Sequence, residues 1–242
     1  MHHYDLLLQD ISYKHGPLSR KKWQTHQEWH NTVLFHFQVS KEELNKLIPK
    51  ELTLDTFENK AWISIICYSV KKNCERNFFP IPFITNFTEL NILTYVEHNG
   101  IKATYILSSN RNLLLSTIYS KLIHGISYKL SEIEHANNLL NHESGSENRI
   151  CLKYFKKGLK TYKENSLDHW LTERYCRFYT DREKIFKIYI SHCKWKLITL
   201  QVIPIKIKTY IDKTLVLDDC YPVISHFCEK VEVLLWPKIR IK

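Results

Sequence analysis

Glycine is scarce in this chain: 242 residues hold five glycines and one methionine. No glycine-rich phosphate loop can be read from so few, and neither a dinucleotide fingerprint nor a P-loop string occurs. Cysteine is present but unpatterned. Cys67, Cys74, Cys151, Cys176, Cys193, Cys220 and Cys228 stand apart, with no Cys-x-x-Cys pair, and seven is an odd number. That spacing excludes a disulfide framework and a zinc knuckle, and reads as scattered thiols in a reducing compartment. His26 and His30 are four apart, but no third ligand accompanies them. No Ser–His–Asp spacing or metal triad is present, so no metal and no cofactor are expected. Apolar runs stay far short of a membrane span. The opening residues lack a basic stretch followed by an apolar run, which predicts a cytoplasmic protein with no membrane partner.

What is there is an ordinary folding composition, 44% hydrophobic and 25% charged, enough for a substantial core. The net charge of +10 is uneven: residues 151–242 hold 19 Lys and Arg against 10 Asp and Glu. A basic half can serve nucleic acid or an anionic surface. Here the lysines alternate with apolar residues, as in Ile205-Lys-Ile-Lys208, the pattern of a solvated sheet face. No nucleic-acid module accompanies them, which disfavours that class.

The clearest internal plan lies in residues 87–129. Glu89, Asn91 and Tyr95 share one face of a strand, and Leu90, Ile92 and Val96 the other. Asn99-Gly100 signals a hairpin, with Ile101–Ser108 as the return strand. Asn112–His124 reads as a helix with Leu114, Ile118 and Leu122 on its apolar face, and Gly125 falls at its C′ position. A carboxylate on a core-facing strand is costly unless paired or useful, which singles out Glu89.

Elsewhere, residues 1–22 read as an N-terminal arm with a short helix at Asp5–Ile11, and 23–242 as one domain. Trp23–His30 suits two helical turns; Thr32–Val39, Leu52–Phe57 and Ala61–Val70 read as strands. Ser40-Lys-Glu-Glu43 is a capping box. The loop after Val70 carries Phe78, Phe79 and Phe83, expected to pack over a sheet, or else to line a pocket mouth. Glu132–Asn148 reads as polar and irregular, and Cys151–Tyr162 as either strands or a helix. Ser166 caps a helix over Leu167–Glu173, followed by strands at Tyr175–Tyr179, Lys184–Ser191, Leu197–Tyr210 and Lys230–Leu235. The fold class is α+β and β-rich, with a few short helices.

Several blocks occur in an informative order: Trp62, Glu89-Leu-Asn-x-x-Thr-Tyr-Val96, Gly125-x-x-Tyr128, Leu171-Thr-Glu-Arg-Tyr175, His192-x-x-Trp195-x-Leu197 and Val231-x-Val-x-x-Trp236-Pro237. Together they resemble the YqjF-like family of bacterial proteins over about residues 23–240. The resemblance implies the acetoacetate decarboxylase-like fold, an antiparallel barrel-like sheet. Acetoacetate decarboxylase works through a lysine made nucleophilic by an apolar pocket and a second cation. Laid on Gly125-Ile-Ser-Tyr-Lys129, that pattern puts Ser127 at a proline, Tyr128 at the Schiff-base lysine and Lys129 at its neighbour. The imine-forming amine is therefore absent, and Lys129 points away from Tyr128 if the segment is extended. Leu93 replaces the arginine that usually follows Glu-x-Asn, which weakens an anion-binding role for that face.

The leading expectation is a pocket for a small keto or carboxylic acid. Glu89 and Tyr128 are its candidate catalytic pair, and Asn91, Tyr95, Lys129, Arg174 and His192 its candidate ligand-binding residues. Glu89 serves there as pocket carboxylate, or structurally as an ion pair with Arg174 or Lys129. Glu173, Arg174 and His192 suit structural roles more readily than chemical ones. The alternatives are a non-imine enzyme acting through Glu89 and Tyr128, and a basic interaction module built on residues 151–242.

Overall fold

The computed structural model describes Leu8, residues 22–81 and residues 83–242. The expected helix at Asp5–Ile11 lies, apart from Leu8, outside the described residues. The strands are β1 (Thr25–Val39), β2 (Thr53–Leu54), β3 (Ala61–Glu75), β4 (Phe87–His98), β5 (Ile101–Arg111), β6 (Lys129–Leu130), β7 (Glu132–Ala136) and β8 (Leu139–Ser144). They continue with β9 (Asn148–Leu159), β10 (Cys176–Asp181), β11 (Lys184–His192), β12 (Ile198–Tyr210), β13 (Val216–Asp218), β14 (Ile224–Leu235) and β15 (Ile239–Arg240). Among the described residues, short helices interrupt them at α1 (Lys41–Lys46), α2 (Leu114–Tyr119) and α3 (Leu167–Thr172).

Seven strands close a ring in the order β1, β3, β4, β5, β10, β11, β14 and back to β1. The closing pairs are Ile190 with Leu235, Ser191 with Leu234 and His192 with Val233. The β5–β10 contact is parallel and the other ring contacts are antiparallel. Closure removes the unpaired edges that an open sheet would leave. Beyond β14 the sheet continues through β12, β9 and β8 to β7.

Both faces of the central strands are covered, so their sequences carry two interleaved patterns. On β3, Ile63, Ile65 and Cys67 join a cluster with Leu140, Ile150 and Leu152 of the outer strands and Phe227 of β14. Trp62 and Tyr68, on the alternate positions, belong to other clusters. The same alternation on β4 sends Leu90 and Ile92 outward and leaves Glu89, Asn91 and Tyr95 on the opposite face.

Four expectations need correction. Trp23–His30 is not helical: Thr25 onward is β1, paired with β14 and β3 on its two sides. Sheet partners on both flanks outweigh a weak local preference. Glu132–Asn148 is not irregular: it forms the β7–β8 hairpin, which buries Leu140 and His142. Phe78, Phe79 and Phe83 do not pack over a sheet; they are 73%, 92% and 84% exposed.

The fourth correction concerns α2. The helix spans Leu114–Tyr119 and runs into a π-helical turn at Ser120–His124. Its apolar residues Leu114, Ile118 and Leu122 face outward, and Ser116 and Ser120 face inward. The inversion has a chemical cause: a buried arginine beneath the helix needs oxygen acceptors. Gly125 ends the turn in the left-handed region, at φ 59. A side chain there would also collide with the Lys238 amine.

Candidate active site

Three side chains stand in a row across adjacent strands. Tyr68 of β3 is the register partner of Glu89 of β4, and Glu89 is the partner of Arg111 of β5. The Tyr68 hydroxyl donates to Glu89 Oε1 at 2.7 Å, and Asn91 Nδ2 donates to the same oxygen at 2.8 Å. Arg111 donates from Nε to Glu89 Oε2 at 3.0 Å, and its Nη2 makes an ion-pair contact with the same oxygen at 2.9 Å. Both carboxylate oxygens are thus doubly engaged. Burial alone would raise the Glu89 pKa, but Arg111, Arg177, Asn91 and Tyr68 outweigh it and hold the group below its usual value. Glu89 is a fixed anion.

Arg111 is itself held on every side. Its Nη1 donates to Ser120 Oγ at 2.5 Å and to the Ser116 carbonyl at 3.2 Å. The Tyr128 ring lies 3.4 Å and the Phe87 ring 4.3 Å from the guanidinium carbon. Tyr68 in turn stacks on Trp29, with ring centroids 4.1 Å apart.

A second cation, Arg177 of β10, is less satisfied. Its Nη1 lies 3.9 Å from Glu89 Oε1. Its Nε is buried without a hydrogen-bond partner among the described residues. Burial opposes its charge, but Tyr68 and Glu89 more than compensate, so it stays protonated. One carboxylate thus faces two guanidiniums, leaving one positive charge over.

Both arginines line a cavity of about 260 Å³, together with Tyr128, Ser120, Ile188 and Lys238. Burial raises the Tyr128 pKa, as does Glu89, against the opposing effect of Arg111. Its phenol therefore remains a hydrogen-bond donor near neutrality. Lys238 donates to the Gly125 carbonyl at 2.7 Å. Glu89 does not line the cavity; it stands behind the two arginines.

Family comparisons fit this architecture. Residues 26–232 match the family model DUF2071, described as an uncharacterized conserved protein. The chain belongs to the DUF2071 family. It is 28% identical over 224 residues to the uncharacterized protein YqjF of Bacillus subtilis (strain 168), covering 89% of this chain and 91% of that protein. Among solved structures it is similar to the enduracididine biosynthesis enzyme MppR with HEPES bound, at a TM-score of 0.61 and 10% identity over 93% of this chain and 89% of that one. The acetoacetate decarboxylase of Legionella pneumophila gives a TM-score of 0.57 at 12% identity, covering 98% and 95% of the two chains. MppR complexed with pyruvate gives 0.57 at 9%, covering 94% and 93%. At these identities the likeness establishes the acetoacetate decarboxylase-like fold.

In this DUF2071 chain the residues singled out from sequence fall into separate clusters. Glu89, Asn91 and Tyr128 meet around Arg111. Lys129 is exposed on β6. Arg174 is elsewhere: it pairs with Asp55 at 2.7 Å and lies over the Trp170 and Tyr95 rings. Tyr95 bonds Ser64 at 2.6 Å, and Ser64 bonds His36 at 2.6 Å; His36 then meets His226 at 3.2 Å, which contacts Asp168 at 2.8 Å. His192 stacks on Tyr175, with its Nδ1 2.8 Å from the Cys193 carbonyl. Glu173 accepts from the Tyr162 and Tyr175 hydroxyls. The partners of Glu89 are thus Arg111 and Arg177, not Arg174 or Lys129. They also restore the positive charge that Leu93 had removed from this face. Among the described residues no group of three or more His, Cys, Asp or Glu is gathered to hold a metal, and no helix is long and apolar enough to cross a membrane.

Proposed function

We propose that the cavity binds a small organic acid by its carboxylate, and that it does so without forming an imine. The observation that carries this reading is Arg177, a cavity-lining guanidinium that shares the single Glu89 carboxylate with Arg111 and sits 3.9 Å from it. An incoming carboxylate would take charge-assisted hydrogen bonds from the guanidinium and neutralise the surplus charge. Glu89 sets the charge balance and holds Arg111 in place. With its oxygens engaged and its pKa lowered, it suits an orienting role better than proton transfer. Tyr128 would donate its hydroxyl to a second ligand oxygen, such as a keto or hydroxyl group. Two of the similar solved structures are an acetoacetate decarboxylase and an MppR complex with pyruvate, both concerned with small keto acids, which supports the ligand class.

Calorimetric titration with pyruvate, acetoacetate and butyrate tests the reading. Wild-type protein should bind at least one of them. Arg177→Gln should weaken that binding by about tenfold or more, the loss of one charge-assisted hydrogen bond, with an unchanged circular dichroism spectrum. Equal binding by both proteins would reject the role given to Arg177.

A further inference from the structure

Next to the arginine-lined cavity lies a second, larger one of about 700 Å³. Gln24, Asn73, Ile123 and Pro237 line both, so the two chambers share a wall. Their characters differ. The first holds Arg111, Arg177 and Tyr128. The second is bounded by Trp23, Phe78, Phe79, Ile81, Ile84 and Tyr119. Most charges around the second chamber are already engaged. Glu75 pairs with His124 at 2.9 Å, and Arg76 lies over the Trp23 ring at 5.0 Å. Lys22 is exposed. What remains is apolar surface that folding has left uncovered: Phe78, Phe79, Ile81 and Ile123 are 73%, 92%, 48% and 54% exposed. Apolar surface gathered beside a polar, positively charged recess marks a binding region for a molecule that is itself two-sided.

We infer that the ligand is an amphipathic monocarboxylate, its head in the arginine chamber and an extended apolar body in the chamber of Trp23, Phe78, Phe79 and Ile84. This rests on the carboxylate reading and extends it from small keto acids to longer aliphatic or aryl-substituted acids. Ile123, on the shared wall, is the residue past which such a body would run.

The test is a chain-length series on the full chain: butyrate, hexanoate and octanoate, with octanamide as the uncharged match for octanoate and octanedioate as a second-charge control. Affinity should climb with length by up to about fourfold per methylene, the worth of burying one such group. Octanamide should bind at least about tenfold more weakly than octanoate. Octanedioate should gain nothing over hexanoate. Phe79→Ser, at a site that contributes little to the core, should lower the octanoate-to-butyrate affinity ratio, whereas Arg177→Gln should weaken the whole series and leave that ratio intact. Flat affinity from butyrate to octanoate, with short acids still bound, would overturn the extended body and leave the carboxylate reading standing. Absence of binding across the series would overturn both. Doubling of the mass in light scattering, with no dependence on chain length, would assign the exposed apolar face to a second copy of the chain and also overturn the inference.

Discussion

Glu89 and Arg111 stand opposite one another because β5 carries one extra residue. From His98–Ile101 to Leu93–Ile106 the β4–β5 pairing is regular, and it resumes at Ile92–Ser108, leaving Leu107 unopposed. That bulge moves the facing residue of Glu89 from Asn110 to Arg111.

Their pairing predicts an asymmetric mutational response. Glu89→Ala strands a buried guanidinium and should destabilise the protein by about 3–5 kcal/mol in urea denaturation. Glu89→Leu combined with Arg111→Met removes both charges and should recover part of that loss. A double variant as unstable as the sum of its single changes would show that the two side chains do not act as a pair.

The inverted helix α2 makes a second prediction. Ser120 accepts from buried Arg111, so Ser120→Ala should cost about 1–3 kcal/mol, because the guanidinium loses an acceptor that nothing replaces. Leu122 is 76% exposed, so Leu122→Ser should change stability by no more than about 0.5 kcal/mol. The opposite ranking in thermal or urea melts would mean that the apolar positions, not the serines, face the barrel.

Acid should weaken the fold before its carboxylates titrate. Burial holds His135 and His142 down to about 4, and holds His36, which also faces His226, well below its ordinary value. Groups with a lowered histidine pKa stabilise fully above about 6.5, and that contribution is lost as pH falls from there toward the folded value. For His142 the loss amounts to about 3 kcal/mol. Glu28 adds to the loss at lower pH. Burial raises it, but hydrogen bonds with His30, Lys72 and Lys230 outweigh that and keep it near 2, so its stabilisation fades below about 4.5. Urea midpoints taken at about pH 7 and about pH 5 should fall. An unchanged midpoint would mean that these histidines are not buried as neutral groups.

His142 also offers a stabilising change. It is 2% exposed, and neither ring nitrogen has a hydrogen-bond partner among the described residues. His142→Leu should raise stability by about 1 kcal/mol at neutral pH and remove its share of the pH slope. A loss of stability instead would indicate that the ring meets a polar group, such as an ordered water.

Much of this architecture is written in local pattern. Alternation places Glu89, Asn91 and Tyr95 on one face, Asn99-Gly100 fixes the hairpin, and Gly125 marks the end of the helical turn. The arginines were hidden for different reasons. Counting back from a regular Asn99-Gly100 turn pairs Glu89 with Asn110, and only the bulge at Leu107 brings in Arg111. Arg177 reaches the site through a parallel contact between β10 and β5, two strands distant in sequence, which no local signal encodes. The α2 face departs from the rule that an apolar stripe seeks the core. Here a buried cation claims the serine face, and the leucines are left toward solvent.

The most direct test of the central claim compares octanoate with octanamide on the wild-type protein by calorimetric titration. The two have the same apolar body and differ only in the head that would meet Arg177. The account predicts that the acid binds at least about tenfold more tightly, with the preference lost in Arg177→Gln. Equal affinities, or a preference that survives Arg177→Gln, would contradict it.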